Sequence, residues 1–141
     1  MKKILFVCVH NSARSQMAEA FVNKLAPELF FAQSAGLEPR TLNPVVVEAM
    51  KEIGIDISAN KTKSVQEFIK SGTQFDYMIT VCDEASAERC PVFPGAGKKL
   101  HMGFADPSAI QGSFEEKLHQ TRKIRDRIQA KLKQWLKKIA E

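Results

Sequence analysis

Cys8 and Arg14 bracket the stretch Cys8-Val9-His10-Asn11-Ser12-Ala13-Arg14, with Ser15 immediately after it. Residues of these types at this spacing can hold a tetrahedral oxyanion against a sulfur nucleophile. A nucleophilic cysteine needs its pKa brought down from about 8.5, and a helix N-terminus, a nearby cation and backbone N–H donors each do that. The backbone from Val9 to Arg14 can turn successive amides inward as an anion nest, and a helix starting near Ser15 would add its positive end. Arg14 supplies a planar fork that matches two oxygens of such an anion. Ser15 can donate a hydrogen bond to the Cys8 sulfur. The oxyanion-binding set is therefore Val9, His10, Asn11, Ser12, Ala13, Arg14 and Ser15, with Cys8 as the nucleophile. His10 is expected to act through its amide and not its imidazole.

Two further cysteines, Cys82 and Cys90, flank Asp83-Glu-Ala-Ser-Ala-Glu-Arg89, a helix-compatible stretch that Pro91 prevents from continuing. Their spacing matches no common zinc pattern, and His10 and His101 do not complete one, so no metal site is expected. Two readings stay open: buried inert thiols, or members of a thiol relay begun at Cys8. Asp106 precedes Pro107, which restricts its backbone, and is read either as a general acid or as a turn aspartate.

These residues must be positioned by the elements around them. Ile4 to Val9 is a continuous apolar run, suited to a strand buried on both faces of a parallel sheet. Met17, Phe21 and Leu25 then repeat at helical spacing, so the chain opens strand, loop, helix. Phe30 to Ser34 reads as a second strand that stops near Gly36. Asn43-Pro44 starts a helix that Gly54 closes. Ser64-Val-Gln-Glu67 and Ser113-Phe-Glu-Glu116 have the capping-box spacing and open a short helix and a terminal one. Asp76 to Val81 is a third strand with Cys82 at its end, and Lys99 to Phe104 a weaker fourth. Alternating strands and helices imply an α/β fold, a parallel sheet covered on both faces, which binds ligands beyond the carboxyl ends of its strands. Cys8, Cys82 and Asp106 each follow a strand and should share that edge.

With 141 residues and 44% hydrophobic composition, one core and a single domain over 1–141 are expected. The first apolar run is far shorter than the roughly 20 residues a membrane helix needs, and three cysteines cannot all pair, so a cytoplasmic protein with reduced thiols is expected. The net charge of +5 would suit an anionic partner. Many cations, however, lie between Lys117 and Lys138, where Leu118, Ile124, Ile128, Leu132, Leu136 and Ile139 mark one helical face. Arg122, Arg125, Lys133 and Lys137 are then read as the wet face of that helix, so no nucleic-acid partner is expected. His119 reads as a helix-surface residue, and Trp135 as a core or edge contact.

The stretch Cys8-Val-His-Asn-Ser-Ala-Arg-Ser-Gln-Met-Ala-Glu19, with Asp106-Pro107, resembles the low-molecular-weight tyrosine phosphatase superfamily. The chain is most similar to its thioredoxin-coupled arsenate reductase branch, through Ser34-Ala-Gly36, Asn43-Pro44, Glu48-Ala-Met50, Ile55-Asp-Ile-Ser58, Cys82 with Cys90, and His101 with Gly103-Phe104. The resemblance implies a four-stranded parallel sheet with helices on both faces, arsenate as substrate, thioredoxin as reductant, no organic cofactor and a monomer. It also implies that Asp106 protonates the leaving hydroxyl. In the implied relay Cys8 attacks arsenic, Cys82 attacks Cys8 to release arsenite, and Cys90 takes over the disulfide. Eight residues of helix between Cys82 and Cys90 would span about 12 Å, against the roughly 7 Å a disulfide allows between Cα atoms, so a helical segment there must loop out on oxidation.

The sequence departs from these relatives at a few places. Ala13 stands where arsenate reductases often carry another cysteine, and Met102 where tryptophan is common. The Cys82 to Cys90 interval is one residue longer than usual. Some relatives bind potassium near the loop; Asn11, Glu19 and Ser34 match that pattern, but Ser64 is aligned with its expected carboxylate. The rival reading is a low-molecular-weight phosphatase acting on phosphate monoesters, which needs only Cys8, Arg14 and Asp106. It leaves Cys82 and Cys90 unexplained, and Ser108-Ala109 follows Asp106-Pro107 where such phosphatases usually place tyrosine.

Overall fold

The computed structural model describes residues 1–83 and 96–140. In chain order these form β1 (Lys2–Cys8), α1 (Arg14–Leu25), β2 (Phe30–Gly36), α2 (Pro44–Lys51), α3 (Val65–Ser71), β3 (Phe75–Thr80), β4 (Ala96–His101), a single 3-10 turn at Pro107–Ala109, and α4 (Phe114–Ala140). The strands make one sheet in the order β2-β1-β3-β4, parallel throughout. The expected fold class therefore holds: a four-stranded parallel sheet with helices on both faces.

The apolar run of β1 is explained by its central place. Ile4, Leu5, Phe6 and Val7 are all fully buried, and successive side chains point to opposite faces of the sheet. Ile4 and Phe6 enter the main core with Met17 and Phe21 of α1 and Ile124, Ile128 and Leu132 of α4. Leu5 and Val7 enter a smaller one with Val65 of α3 and with Phe75 and Met78. The register pairs Cys8 with Gly36, Val7 with Thr80 and Thr80 with His101. The carboxyl ends of all four strands are thus brought level at one edge.

Local signals explain the helix boundaries. Asn43 Oδ1 accepts from the amides of Val45 and Val46 ahead of Pro44, and Gly54, at φ +80°, makes the turn that follows α2. Ser64 Oγ caps α3 through the Gln66 amide. At α4 the capping box is reciprocal: the Glu116 amide donates to Ser113 Oγ, and the Ser113 amide donates to Glu116 Oε1. Trp135 lies against Phe30 and Tyr77, with ring centroids 5.7 and 5.4 Å away, which makes it the packing contact expected. His119 is exposed.

Two expectations are corrected. The fourth strand occupies Ala96–His101 and not Lys99–Phe104, because residues 102–106 leave the sheet to form the loop that meets Arg14. Arg125 is not on the wet face of α4. It is 8% exposed, and its Nη1 donates to the Ala49 carbonyl at 2.8 Å and to Glu52 Oε1 at 3.1 Å, tying α4 to α2. Arg122 reinforces this junction with a two-pronged bond to Glu52, and Arg122 first, then Arg125, holds the Glu52 carboxyl below its ordinary pKa. The sequence pattern missed Arg125 because a long cationic stem can lie along an apolar helix face while its head bonds a neighbouring helix. Arg125→Ala leaves the Ala49 carbonyl buried without this donor and is expected to cost about 1–3 kcal/mol, read as a lower urea midpoint at unchanged m-value.

Candidate active site

The loop after β1 is shaped by what its carbonyls bond. The carbonyls of Cys8, Val9, His10 and Ser12 accept hydrogen bonds from the amides of Leu37, Glu38, Arg40 and Asn43 respectively. In a trans peptide the N–H points opposite to the C=O. The amides of Val9, His10, Asn11 and Ala13 are therefore turned away from the 37–43 segment and toward the inside of the loop. Inward-turned amides are what an anion nest requires. No side-chain cap closes the start of α1 at Ala13, so the positive end of that helix is added to the same concavity.

Gly36 makes this packing possible. A Cβ at that position would sit 2.8 Å from the Asn11 nitrogen, 2.8 Å from the Val9 oxygen and 2.9 Å from the His10 carbonyl carbon. All three are backbone atoms that cannot move without opening the loop. Asn11 is the other special position: it is fully buried at φ +52°, the left-handed region that asparagine tolerates better than most residues. Its side chain is held from three sides. Nδ2 donates to Ser15 Oγ at 2.8 Å, while Oδ1 accepts from Gln16 Nε2 at 3.1 Å and from the Lys63 amide at 2.8 Å.

Two groups converge on Cys8 Sγ: the Asn11 amide, donating at 3.1 Å, and Ser15 Oγ, 2.9 Å away. Because Asn11 already donates to Ser15 Oγ, the Ser15 hydroxyl proton is left to point at sulfur. Two donors thus hold this sulfur in a fixed position inside the buried loop. Arg14, 2% exposed, donates from Nη1 to the Phe104 carbonyl at 3.1 Å, and its Nη2 lies 3.6 Å from Asp106 Oδ2. Asp106 Oδ1 accepts from the Ser108 amide at 2.9 Å. One carboxylate oxygen thus makes the turn, while the other faces the guanidinium. A cavity of about 260 Å³ opens beside the loop, lined among others by His10, Ser12, Arg40, Asn43 and Ser108. The His10 imidazole is tethered outside the nest, Nδ1 lying 3.1 Å from the Glu38 carbonyl.

Cys82 comes two residues after the end of β3, next to β1. The Val81 amide donates to the Val7 carbonyl at 3.0 Å, and Cys82 Sγ lies 4.0 Å from that oxygen. Cys8 and Cys82 are therefore buried thiols at the carboxyl ends of adjacent strands, on the edge that Arg14 and Asp106 also share. Cys90 and most of the Cys82 to Cys90 interval lie outside the described residues. Among the described residues no group of three His, Cys, Asp or Glu side chains is placed to hold a metal ion.

Behind the loop lies a second polar cluster. Ser34 Oγ donates to Glu19 Oε1 at 3.0 Å, and Lys63 Nζ reaches the same oxygen at 3.5 Å. Burial pushes the Glu19 carboxyl above its ordinary pKa, against the pull of Lys63 and Ser34. Glu19 and Ser34 meet here, and Asn11 is linked to them through Lys63, but these residues do not fit a bound cation. Asn11 Oδ1 is spent on two N–H donors, Ser64 Oγ caps α3, and the group facing Glu19 is the ammonium of Lys63. Gly36, Gln16, Lys63 and the Phe104 carbonyl were all missed by sequence reasoning. Gly36 left a trace there as a glycine ending a predicted strand, Gln16 and Phe104 stood in the stretches that carry the resemblance without a role, and Lys63 left none.

A family profile described as low molecular weight phosphotyrosine protein phosphatase matches residues 3–141. A curated arsenate reductase of Bacillus subtilis is 40% identical over 134 residues, covering 95% of this chain and 94% of its own length. The solved structure of an arsenate reductase in the phosphate binding state superposes with a TM-score of 0.79 at 27% identity, covering 99% of both chains. A thioredoxin-dependent arsenate reductase of Corynebacterium glutamicum superposes with a TM-score of 0.62 at 29% identity, over 95% of this chain and 61% of that one. On a match that spans nearly its whole length, the chain belongs to the low molecular weight phosphotyrosine protein phosphatase family, in its arsenate reductase branch.

Proposed function

We propose that this protein reduces arsenate to arsenite through a relay of Cys8, Cys82 and Cys90 that thioredoxin resets. The observation that carries the reading is that Cys82 follows the end of β3, the strand beside β1, and so lies at the edge where the loop donors, Arg14 and Asp106 meet. Arsenate binds in the nest with Arg14 across two of its oxygens. Cys8 sulfur attacks arsenic, a hydroxyl leaves as water with the proton of Asp106, and an S–As bond forms. Cys82 sulfur then attacks Cys8 sulfur. The S–As electron pair goes to arsenic, which leaves as arsenite, reduced by two electrons, and a Cys8–Cys82 disulfide remains. Cys90 attacks Cys82, freeing Cys8, and a dithiol protein reduces the Cys82–Cys90 disulfide. Thiols supply both electrons, so the cycle calls for no organic cofactor. It runs in a reducing compartment, the cytoplasm, with the chain as a monomer. Among the described residues no helix is long and apolar enough to cross a membrane.

The loop by itself also suits phosphate, and hydrolysis of phosphate monoesters through Cys8, Arg14 and Asp106 is expected as a weak second activity. One assay separates the two: arsenate-dependent NADPH oxidation in the presence of thioredoxin and its reductase, beside hydrolysis of p-nitrophenyl phosphate. Arsenate-dependent turnover well above the ester hydrolysis is expected. Ester hydrolysis with no arsenate turnover would hand the site to the phosphatase reading.

A further inference from the structure

Lys63 makes three contacts at the base of the site, one to the loop, one to the end of β2 and one to α1. Its amide donates to Asn11 Oδ1, its carbonyl accepts from the Gly36 amide at 2.9 Å, and its ammonium sits against Glu19. Asn11 and Gly36 are the two residues on which the loop's conformation most depends. Lys63 thus joins the loop to the sheet end by its backbone and to a carboxylate on α1 by its side chain. That carboxylate is 14% exposed and the lysine side chain 28%, so the pair is shielded more than a surface ion pair is. An unbalanced negative charge here would sit beneath a loop whose inward amides suit an oxyanion. The same cluster is where the residues present reject a bound metal cation, because the position facing Glu19 is already positive.

We propose that the Lys63 ammonium is a built-in cation of the oxyanion loop: it balances Glu19 so that the loop's affinity for a tetrahedral oxyanion does not depend on potassium. Lys63 is on this view a positioning residue: its ammonium acts on the bound anion through the charge of Glu19, while its backbone amide holds Asn11. The inference holds whether Cys8 serves arsenate reduction or ester hydrolysis, since it concerns the binding of the anion that precedes either.

The test uses inorganic phosphate as the probe and compares potassium chloride with tetramethylammonium chloride at equal ionic strength, about 0.1 M, to separate specific binding from screening. Phosphate affinity by calorimetry and Tm are measured on the whole protein. Wild type is expected to give the same values in both salts. Lys63→Asp turns the site into one that needs an external cation, so its phosphate affinity in tetramethylammonium should fall by about fivefold or more and recover in potassium, the lower end of ordinary coupling between two sites. By the same linkage, phosphate should tighten potassium binding to the variant by the same factor. Lys63→Arg keeps the charge and should stay salt-indifferent. A potassium-selective gain of fivefold in wild type overturns the proposal without any variant. Lys63→Asp binding phosphate as wild type does in both salts overturns it too. Should Lys63→Asp not fold, Lys63→Gln serves the same comparison.

Discussion

Cys82→Ser is expected to abolish steady-state arsenate reduction with thioredoxin, a loss on the order of 10³-fold or more, while hydrolysis of p-nitrophenyl phosphate stays within about threefold of wild type. The expectation follows from what each step needs. On the proposed reading ester hydrolysis uses the nest, Arg14, Cys8 and Asp106, and water completes the cycle by attacking the phosphorylated sulfur. Arsenate reduction needs a second sulfur to take the Cys8 sulfur away from arsenic, so that the bonding pair returns to arsenic. The serine oxygen cannot form that second bond to sulfur under these conditions. Cys82 is fully buried, and serine is close to it in volume, so the substitution removes the nucleophile with little change in packing. The loop donors on Cys8 belong to Asn11 and Ser15, neither of which touches Cys82 through a described hydrogen bond. Arsenate reduction by Cys82→Ser at a rate near wild type would show that an external thiol attacks Cys8 directly, and the relay would be lost with it.

The parts of this site that could be read from the sequence are those whose cause is local. A buried strand, a loop holding cysteine and arginine, and a helix starting near Ser15 follow one another within residues 2–25. The capping box at Ser113 and the Asn43-Pro44 start are likewise written in four and two consecutive residues, and the structure places them as read. What was not legible depends on partners far away in the chain. Gly36 is obligatory because the backbone of residues 9–11 approaches it, a fact set by the β1–β2 register and not by its neighbours. Arg125 looked like one more cation on a wet helix face, since nothing near it in sequence announces the Ala49 carbonyl it bonds. Lys63 was passed over in favour of Ser64 because an alignment of residue types cannot say which of two adjacent side chains faces Glu19. The backbone direction at α3 decides it, turning Ser64 to the helix cap and Lys63 to the loop.

Arg14→Lys is expected to lower kcat/KM for arsenate and for p-nitrophenyl phosphate together by about 10²- to 10³-fold, the range found when one preorganised donor to a reacting oxyanion is removed. Charge is preserved in this variant, so the loss isolates geometry. The guanidinium has separate donors directed to the Phe104 carbonyl and to Asp106, and being planar it holds its remaining N–H groups in a fixed fork that two anion oxygens can share. A lysine ammonium is a single centre on a flexible stem. Buried at a position 2% exposed, it can satisfy the carbonyl, the carboxylate or the anion, but not all three at their present spacing. Both activities must fall, because both pass through an anion with charge building on its oxygens, and this joint loss sets the variant apart from Cys82→Ser, which spares ester hydrolysis. Phosphate affinity should weaken less than turnover, since the loop amides still hold the ground-state anion while the fork is fitted to the geometry in which the S–As or S–P bond forms. Rates within tenfold of wild type for both substrates would mean that the nest amides carry the anion alone and that Arg14 serves only to brace the Asp106 loop.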